Sequence, residues 1–223
     1  MRAKYDVVLF DLDGTLTDSG SGVTGCVKQA LEQMGRPVPS KETLRRFIGP
    51  PLFSSFTKLC GMDREEAEQA IRLFREGYDE HGVYDNSVFD GIPETLTALR
   101  RAGAKLAVAT SKPESMAKVV LGHFGLAQYF DILSAADESD RGNGKEMLIL
   151  PALEQAGCAP ERAVMVGDTK FDAAGARNAG THFVGVLYGF GTEEEMRREG
   201  AEQFARTPAD IARLLVDKTG AAL

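Results

Sequence analysis

Apolar residues along this chain follow two different rhythms. Between Val23 and Tyr84 they recur at helical spacing, with Val27, Ala30, Leu31 and Met34 on one face and Ala67, Ala70, Ile71, Phe74 and Tyr78 on another. Gly35 and Pro37 stop the first of these helices, Gly49, Pro50 and Pro51 separate two more, and nothing in the region alternates as a strand does. From Val88 onward short apolar runs take turns with amphipathic ones. The pattern predicts helices over 93–102, 113–124, 144–156 and 171–179, and extended segments over 105–109, 130–134, 163–166 and 182–186. Pro151 falls inside one of these helices and calls for a kink or a late helix start.

One further apolar run, 7–10, precedes the helical stretch and matches the second rhythm. Strands that alternate with helices argue for an α/β fold with a parallel sheet covered on both faces, the first strand joining it from across the helical insert. The expected division is a core of residues 1–17 and 88–223 and an insert of residues 18–87. Residues 18–25, rich in Gly, Ser and Thr, read as a flexible connection and a hinge, with 84–91 as its counterpart.

Composition narrows the class. At 223 residues and 43% apolar the chain can fill a core. A formal charge of −7 argues against a sequence-independent nucleic-acid binder. The amino terminus lacks a signal-peptide core, and no run reaches the roughly 18 apolar residues that span a bilayer. The expectation is a soluble cytoplasmic protein without a membrane partner. Cys26, Cys60 and Cys158 are odd in number and widely spaced, which predicts buried free thiols instead of disulfides or a zinc site, and His81, His123 and His182 are equally scattered.

Chemistry enters where the strands end. Asp11 and Asp13 follow the 7–10 run and, as i and i+2, point the same way on an extended chain. Two carboxylates so close need a cation or a shared proton, although DLDGT also suits a plain turn after a core strand. The strand at 105–109 runs into Thr110, Ser111 and Lys112; the one at 163–166 runs into Gly167, Asp168, Thr169, Lys170, Phe171 and Asp172. Asp168 and Asp172 also suit helix caps, Thr110 and Ser111 also suit the cap of the next helix, and Lys145 also suits a solvated charge. A parallel sheet gathers all of these round one crevice beyond its carboxyl edge.

With these residues in this order, the chain resembles the haloacid dehalogenase superfamily of phosphatases over nearly all its length. The family's DxDGT motif matches Asp11 to Thr15, its Ser/Thr motif Thr110, its lysine motif Lys145 and its acidic GDxxxD motif Gly167 to Asp172. Proline commonly follows the motif lysine, whereas Glu146 does here, so Lys112 stands as a rival. The resemblance implies a Rossmann-like core with a small inserted helical cap, and a magnesium-dependent hydrolase of a small phosphorylated metabolite. Asp11 would be the nucleophile that forms an aspartyl phosphate, and Asp13 the general acid and base. Magnesium would be held by Asp11, the Asp13 backbone carbonyl, Asp168 and Asp172, and the phosphate by Thr110, Ser111 and Lys145. Four carboxylates against magnesium and Lys145 leave one net negative charge before the substrate arrives, so the site depends on its cation.

Within the superfamily the chain is most similar to phosphoglycolate phosphatases and related nucleoside monophosphatases, a likeness to which 185–192 (GVLYGFGT) adds. The alternatives are a 5'-nucleotidase and a phosphomutase of the β-phosphoglucomutase type, which returns the phosphate to a second sugar hydroxyl. A dehalogenase would leave Asp13, Asp168 and Asp172 unexplained, and an inactive binding protein on the same scaffold would be expected to have lost a motif residue. Residues 44–52 (LRRFIGPPL) resemble the cap segment that faces the active site, so Arg45 and Arg46 are candidate contacts to a substrate anion, against a reading as solvated helix charges. Oligomeric state is not legible.

Overall fold

The computed structural model describes residues 2–137 and 144–217. Strands β1 (Arg2–Ala3), β2 (Val7–Phe10) and β3 (Thr17–Asp18) lead into four helices, α1 (Gly20–Gln33), α2 (Lys41–Arg45), α3 (Leu52–Cys60) and α4 (Arg64–Gly77). The last of these widens into a π-helical segment, Tyr78–Gly82. The chain returns through β4 (Ser87–Val88) and then alternates: α5 (Ile92–Arg101), β5 (Lys105–Pro113), α6 (Glu114–His123), β6 (Ile132–Ala136), α7 (Glu146–Ala156), β7 (Ala163–Gly167), α8 (Lys170–Ala179) and β8 (His182–Val186). It continues through α9 (Glu193–Arg198), β9 (Gln203–Ala205), α10 (Pro208–Leu215) and β10 (Val216–Asp217), a stretch for which apolar spacing made no forecast.

The main sheet has the order β6-β5-β2-β7-β8-β9, with every neighbouring pair parallel. Its centre is β2, where successive side chains serve opposite faces. Val8 and Phe10 join one apolar cluster with Leu96, Val120 and Ile211, while Val7 and Leu9 join another with Ile149, Leu153 and Ala176. A strand buried on both faces needs apolar residues at every position, and Val7–Phe10 supplies them. At 0% exposure, Leu9→Ala would cost about 2–5 kcal/mol in transfer and cavity terms. The strand order reverses at β2, with β5 and β6 to one side and β7, β8 and β9 to the other, so a crevice opens beyond its carboxyl end.

The helical stretch is inserted between β3 and β4, which pair antiparallel as Thr17 with Val88 and Asp18 with Ser87. Two expectations change here. Residues 18–25 are not a slack connection, because α1 begins at Gly20. Their smallness reflects close packing: the Gly22 amide donates to the Asp85 carbonyl at 3.0 Å, and a Cβ at Gly22 would stand 2.1 Å from the Gly82 carbonyl oxygen. Pro151 neither breaks α7 nor delays its start. It lies on the exposed side, and the carbonyl it leaves without a donor belongs to Met147, itself 58% exposed, where water can serve. All three thiols are free, but only Cys26 is buried; Cys60 and Cys158 are half-buried. The three histidines are exposed. No helix among the described residues is long and apolar enough to cross a membrane.

Candidate active site

Three neighbouring strands, β5, β2 and β7, deliver the chemistry to one place. The Asp11 amide donates to the Val166 carbonyl at 2.9 Å, which carries the β2 to β7 ladder one residue past the strand and fixes Asp11 at the sheet edge. The chain then turns sharply through Gly14, whose φ of +87° suits glycine and whose missing Cβ would otherwise lie 2.3 Å from an Asp168 carboxylate oxygen. This close approach lets the Thr15 hydroxyl donate to Asp168 Oδ1 at 3.2 Å. Asp168 Oδ2 accepts the Phe190 amide at 2.7 Å. Both oxygens of Asp168 are therefore aimed by neighbours. The Phe190 donor sits in the GVLYGFGT segment, which the sequence marked only by likeness.

Asp172 caps a helix and faces the site at the same time. As the third residue of α8 it caps the helix, its Oδ2 accepting from the Thr169 amide at 3.0 Å and the Thr169 hydroxyl at 2.7 Å. Its Oδ1 turns the other way and meets Lys145 Nζ at 2.7 Å. Lys145, at the start of α7, also reaches Asp11 Oδ1 at 2.8 Å and has only 3% of its side chain exposed.

Lys112, the rival lysine, is buried in the same site on a different partner. Its Nζ stands 3.0 and 3.2 Å from the two carboxylate oxygens of Asp13 and 4.5 Å from the ring centroid of Tyr78, which the π-helical segment brings over from the insert. The route to this position is a bulge: β5 pairs with β6 through Thr110 and Ala135, then through Pro113 and Ala136, so Ser111 and Lys112 have no counterparts on β6. Such irregularities re-aim side chains. The Thr110 hydroxyl accepts the Lys112 amide at 3.2 Å and keeps its own proton to donate. The two lysines are thus not competitors for one role, since each holds one member of the Asp11 and Asp13 pair. With Lys112 counted, four carboxylates, two ammoniums and a divalent cation are formally neutral before a phosphate enters.

Electrostatics at the site follow from burial. Loss of water pushes the Asp11 carboxyl up to about 6; Lys145 opposes the shift, and Asp172 and Asp13 add to it. Asp168 is raised well above the ordinary carboxylate range by burial and by the charges of Asp172 and Asp11, against the donors Phe190 and Thr15. Burial pulls Lys145 down, but Asp11 and Asp172 outweigh it and hold the ammonium above the usual lysine range. Asp13, with Tyr78, does the same for Lys112.

Asp11, Asp168 and Asp172 each offer a carboxylate oxygen, all within 4.8 Å of one another. Three buried carboxylates against one ammonium leave an excess that one divalent cation balances, and an all-oxygen donor set suits a hard ion such as magnesium. The Asp13 carboxylate stands outside this cluster, turned to Lys112.

Beyond the acidic cluster a cavity of about 360 Å³ extends between the sheet edge and the insert. Asp11, Asp13, Thr110, Ser111 and Lys112 line it from one side; Phe47, Ile48, Phe53, Ile71, Arg72, Phe74 and Arg75 are among those that line it from the other. Arg45 and Arg46 are exposed and do not line it, contrary to expectation. Leu44, Phe47 and Ile48 turn inward at helical spacing, which leaves the two arginines facing out. The cationic side chains that the insert does bring to the cavity, Arg72 and Arg75, went unmarked in the sequence. Their signal was present: Glu68, Ile71, Arg72 and Arg75 form an i, i+3, i+4, i+7 stripe beside the apolar face of α4.

The model of one family, described as haloacid dehalogenase-like hydrolase, matches residues 8–186. A protein named 5'-nucleotidase from Pseudomonas aeruginosa is 41% identical over 211 residues, 95% of this chain and 94% of the relative. A phosphoglycolate phosphatase from Aquifex aeolicus is 30% identical over 209 residues, covering 94% and 96%. Among solved structures, a predicted phosphatase from Clostridium acetobutylicum superposes with a TM-score of 0.90 at 38% identity, covering 94% of this chain and 97% of its own.

Proposed function

The chain belongs to the haloacid dehalogenase-like hydrolase family and is an enzyme of the phosphatase kind, and from that premise we propose that it hydrolyses a small phosphomonoester with magnesium, through an aspartyl phosphate on Asp11. One observation carries the reading: a buried carboxylate at the carboxyl end of the central strand, with a lysine ammonium at 2.8 Å and a second carboxylate two residues on. Asp11 attacks phosphorus as the bond to the leaving oxygen breaks, and Asp13 gives that oxygen its proton. The Asp13 carboxylate then takes a proton from the water that attacks the phosphoaspartate, which frees phosphate and restores both groups. Lys145 offsets charge on Asp11 and the phosphoryl oxygens through both steps, and the Thr110 hydroxyl and Ser111 amide donate to the remaining oxygens. Magnesium, when bound, supplies the positive charge that lets a dianionic phosphate approach a carboxylate. Asp11, Asp168 and the Asp13 main-chain carbonyl would hold it, with Asp172 direct or through water.

We propose likewise that residues 18–87 act as a cap over a core of 1–17 and 88–223. The β3 and β4 pair at the base of the insert and the cavity shared across the two parts support this division. A closed cap keeps bulk water from a reactive acyl phosphate.

Phosphoglycolate is the first substrate reading, from likeness. A nucleoside 5'-monophosphate is the second, and the cavity favours it. About 360 Å³ lined by Phe47, Phe53 and Phe74 is ample for a base and sugar, whereas glycolate would leave most of it to water. The test is an acid-quench experiment with labelled substrate and magnesium, in which the parent should retain covalent label and Asp11→Asn should retain none and turn over nothing. A screen of phosphoglycolate, nucleoside monophosphates and sugar phosphates then ranks substrates by kcat/KM. Isomerised sugar phosphate without free phosphate would point to the mutase alternative instead.

A further inference from the structure

We propose that Lys112 is a positioning residue for Asp13, fixing the carboxylate that moves protons, so that it governs hydrolysis of the phosphoenzyme as well as release of a poor leaving group. The inference rests on the roles proposed above for Asp11 and Asp13. Nothing in the reaction as described uses Lys112, yet it is 8% exposed and ion-paired to a carboxylate that is 9% exposed. A buried ion pair is a weak source of stability, because desolvation offsets most of the attraction and an apolar pair often serves as well. Besides the charge it adds to the site, what the pair contributes is its hold on Asp13.

Geometry says what that is. Lys112 Nζ is close to both oxygens of Asp13, so the carboxylate plane is held like a plate gripped at both corners. The ammonium is itself placed by the β5 bulge on one side and the Tyr78 ring on the other. Tyr78 belongs to the insert and Lys112 to the sheet, so this grip is complete with the insert seated as it is here. Lys145 has no part in it, since its contacts are to Asp11 and Asp172.

Stopped-flow and acid-quench measurements with nitrophenyl phosphate separate this role from others, because nitrophenolate leaves without a proton and only the second step then needs Asp13. In Lys112→Met the burst should keep its amplitude of about one product per site and its rate within about tenfold. Steady-state turnover should fall by about 10²–10³-fold, in the range of a lost general base, and labelled phosphoenzyme should accumulate. Lys112→Arg should recover at least about tenfold of that loss, and adding Lys112→Met to Asp13→Asn should slow turnover no further. If Lys112→Met does not fold, Lys112→Gln, which keeps one donor, takes its place with the same expectations. Equal loss of burst and steady state with no accumulated phosphoenzyme would overturn the inference, as would turnover at the parent rate. A parent enzyme that forms no covalent intermediate would instead overturn the roles of Asp11 and Asp13 themselves.

Discussion

Replacing Asp11 by asparagine should stabilise the metal-free protein while it abolishes turnover. Asp11 is buried and close to Asp172 and Asp13, and its carboxyl is pushed up from 3.8 to about 6, with burial the largest cause. An acid whose folded pKa lies above its unfolded value takes up a proton on folding, so the parent loses stability as pH rises between the two values and keeps the deficit above them. The difference between 3.8 and about 6 corresponds to about 3 kcal/mol. The asparagine variant escapes this loss but leaves Lys145 with Asp172 as its remaining partner at 2.7 Å, which takes back part of the gain. A net stabilisation of about 1–3 kcal/mol, roughly 2–10 °C in melting temperature for a chain of this size, is the expected result in EDTA at pH 7.5. Urea and thermal melts of both proteins from pH 4 to pH 8 would measure it. The gap should be small near pH 4, open up to about pH 6 and then stay level. Saturating magnesium should shrink it by stabilising the parent more. A variant no more stable than the parent at pH 7.5, or a gap that does not change with pH, would refute the electrostatic account of the site.

Removing the Thr15 hydroxyl in Thr15→Val takes one donor from Asp168 and should raise the magnesium concentration for half-activity by about 10- to 100-fold, as a magnesium titration would reveal. Lys145→Met leaves Asp11 and Asp172 uncompensated; it should cost about 3–5 kcal/mol of stability in EDTA, less with magnesium, and lower kcat by about 10²–10³-fold even with the metal saturating. Ile71→Trp fills the cavity from the insert side and should raise KM for a nucleoside monophosphate by about tenfold or more while leaving phosphoglycolate within about threefold; the opposite order would move the substrate out of this cavity.

The sheet and the acidic strand ends were legible because their signals are local. A four-residue apolar run is what a strand buried on both faces requires, and Asp11, Asp13, Asp168 and Asp172 carry their spacing in the sequence. The position of Lys112 on Asp13 is not legible in the sequence, for the converse reason. Its partner is distant in sequence, and its direction depends on a bulge whose register belongs to two strands at once. The Gly-rich start of α1 misled because small residues report close approach as readily as freedom, and only the Gly82 carbonyl tells the two apart. The 203–205 strand is too short for a period to show. The exposure of Arg45 and Arg46 is legible too: Leu44, Phe47 and Ile48 define the inner face of that turn, and the arginines fall off it, as the solvated-charge reading has it.

The central position of β2 also has a consequence in time. Val7 pairs with Lys105 on one side and Ala163 on the other, so the strand leaves the ribosome well before either neighbour exists. At about 5–20 residues per second its second edge stays unpaired for on the order of ten seconds after it emerges. During that interval VVLF is an uncharged, β-prone segment with open hydrogen-bonding edges. The helices of the insert also leave the ribosome before either partner strand, so the nascent chain carries them on an unfinished sheet. Any pause or truncation before β7 leaves a wholly apolar strand as an exposed template for its own copies, and the burden of keeping such chains apart falls on synthesis, before catalysis begins.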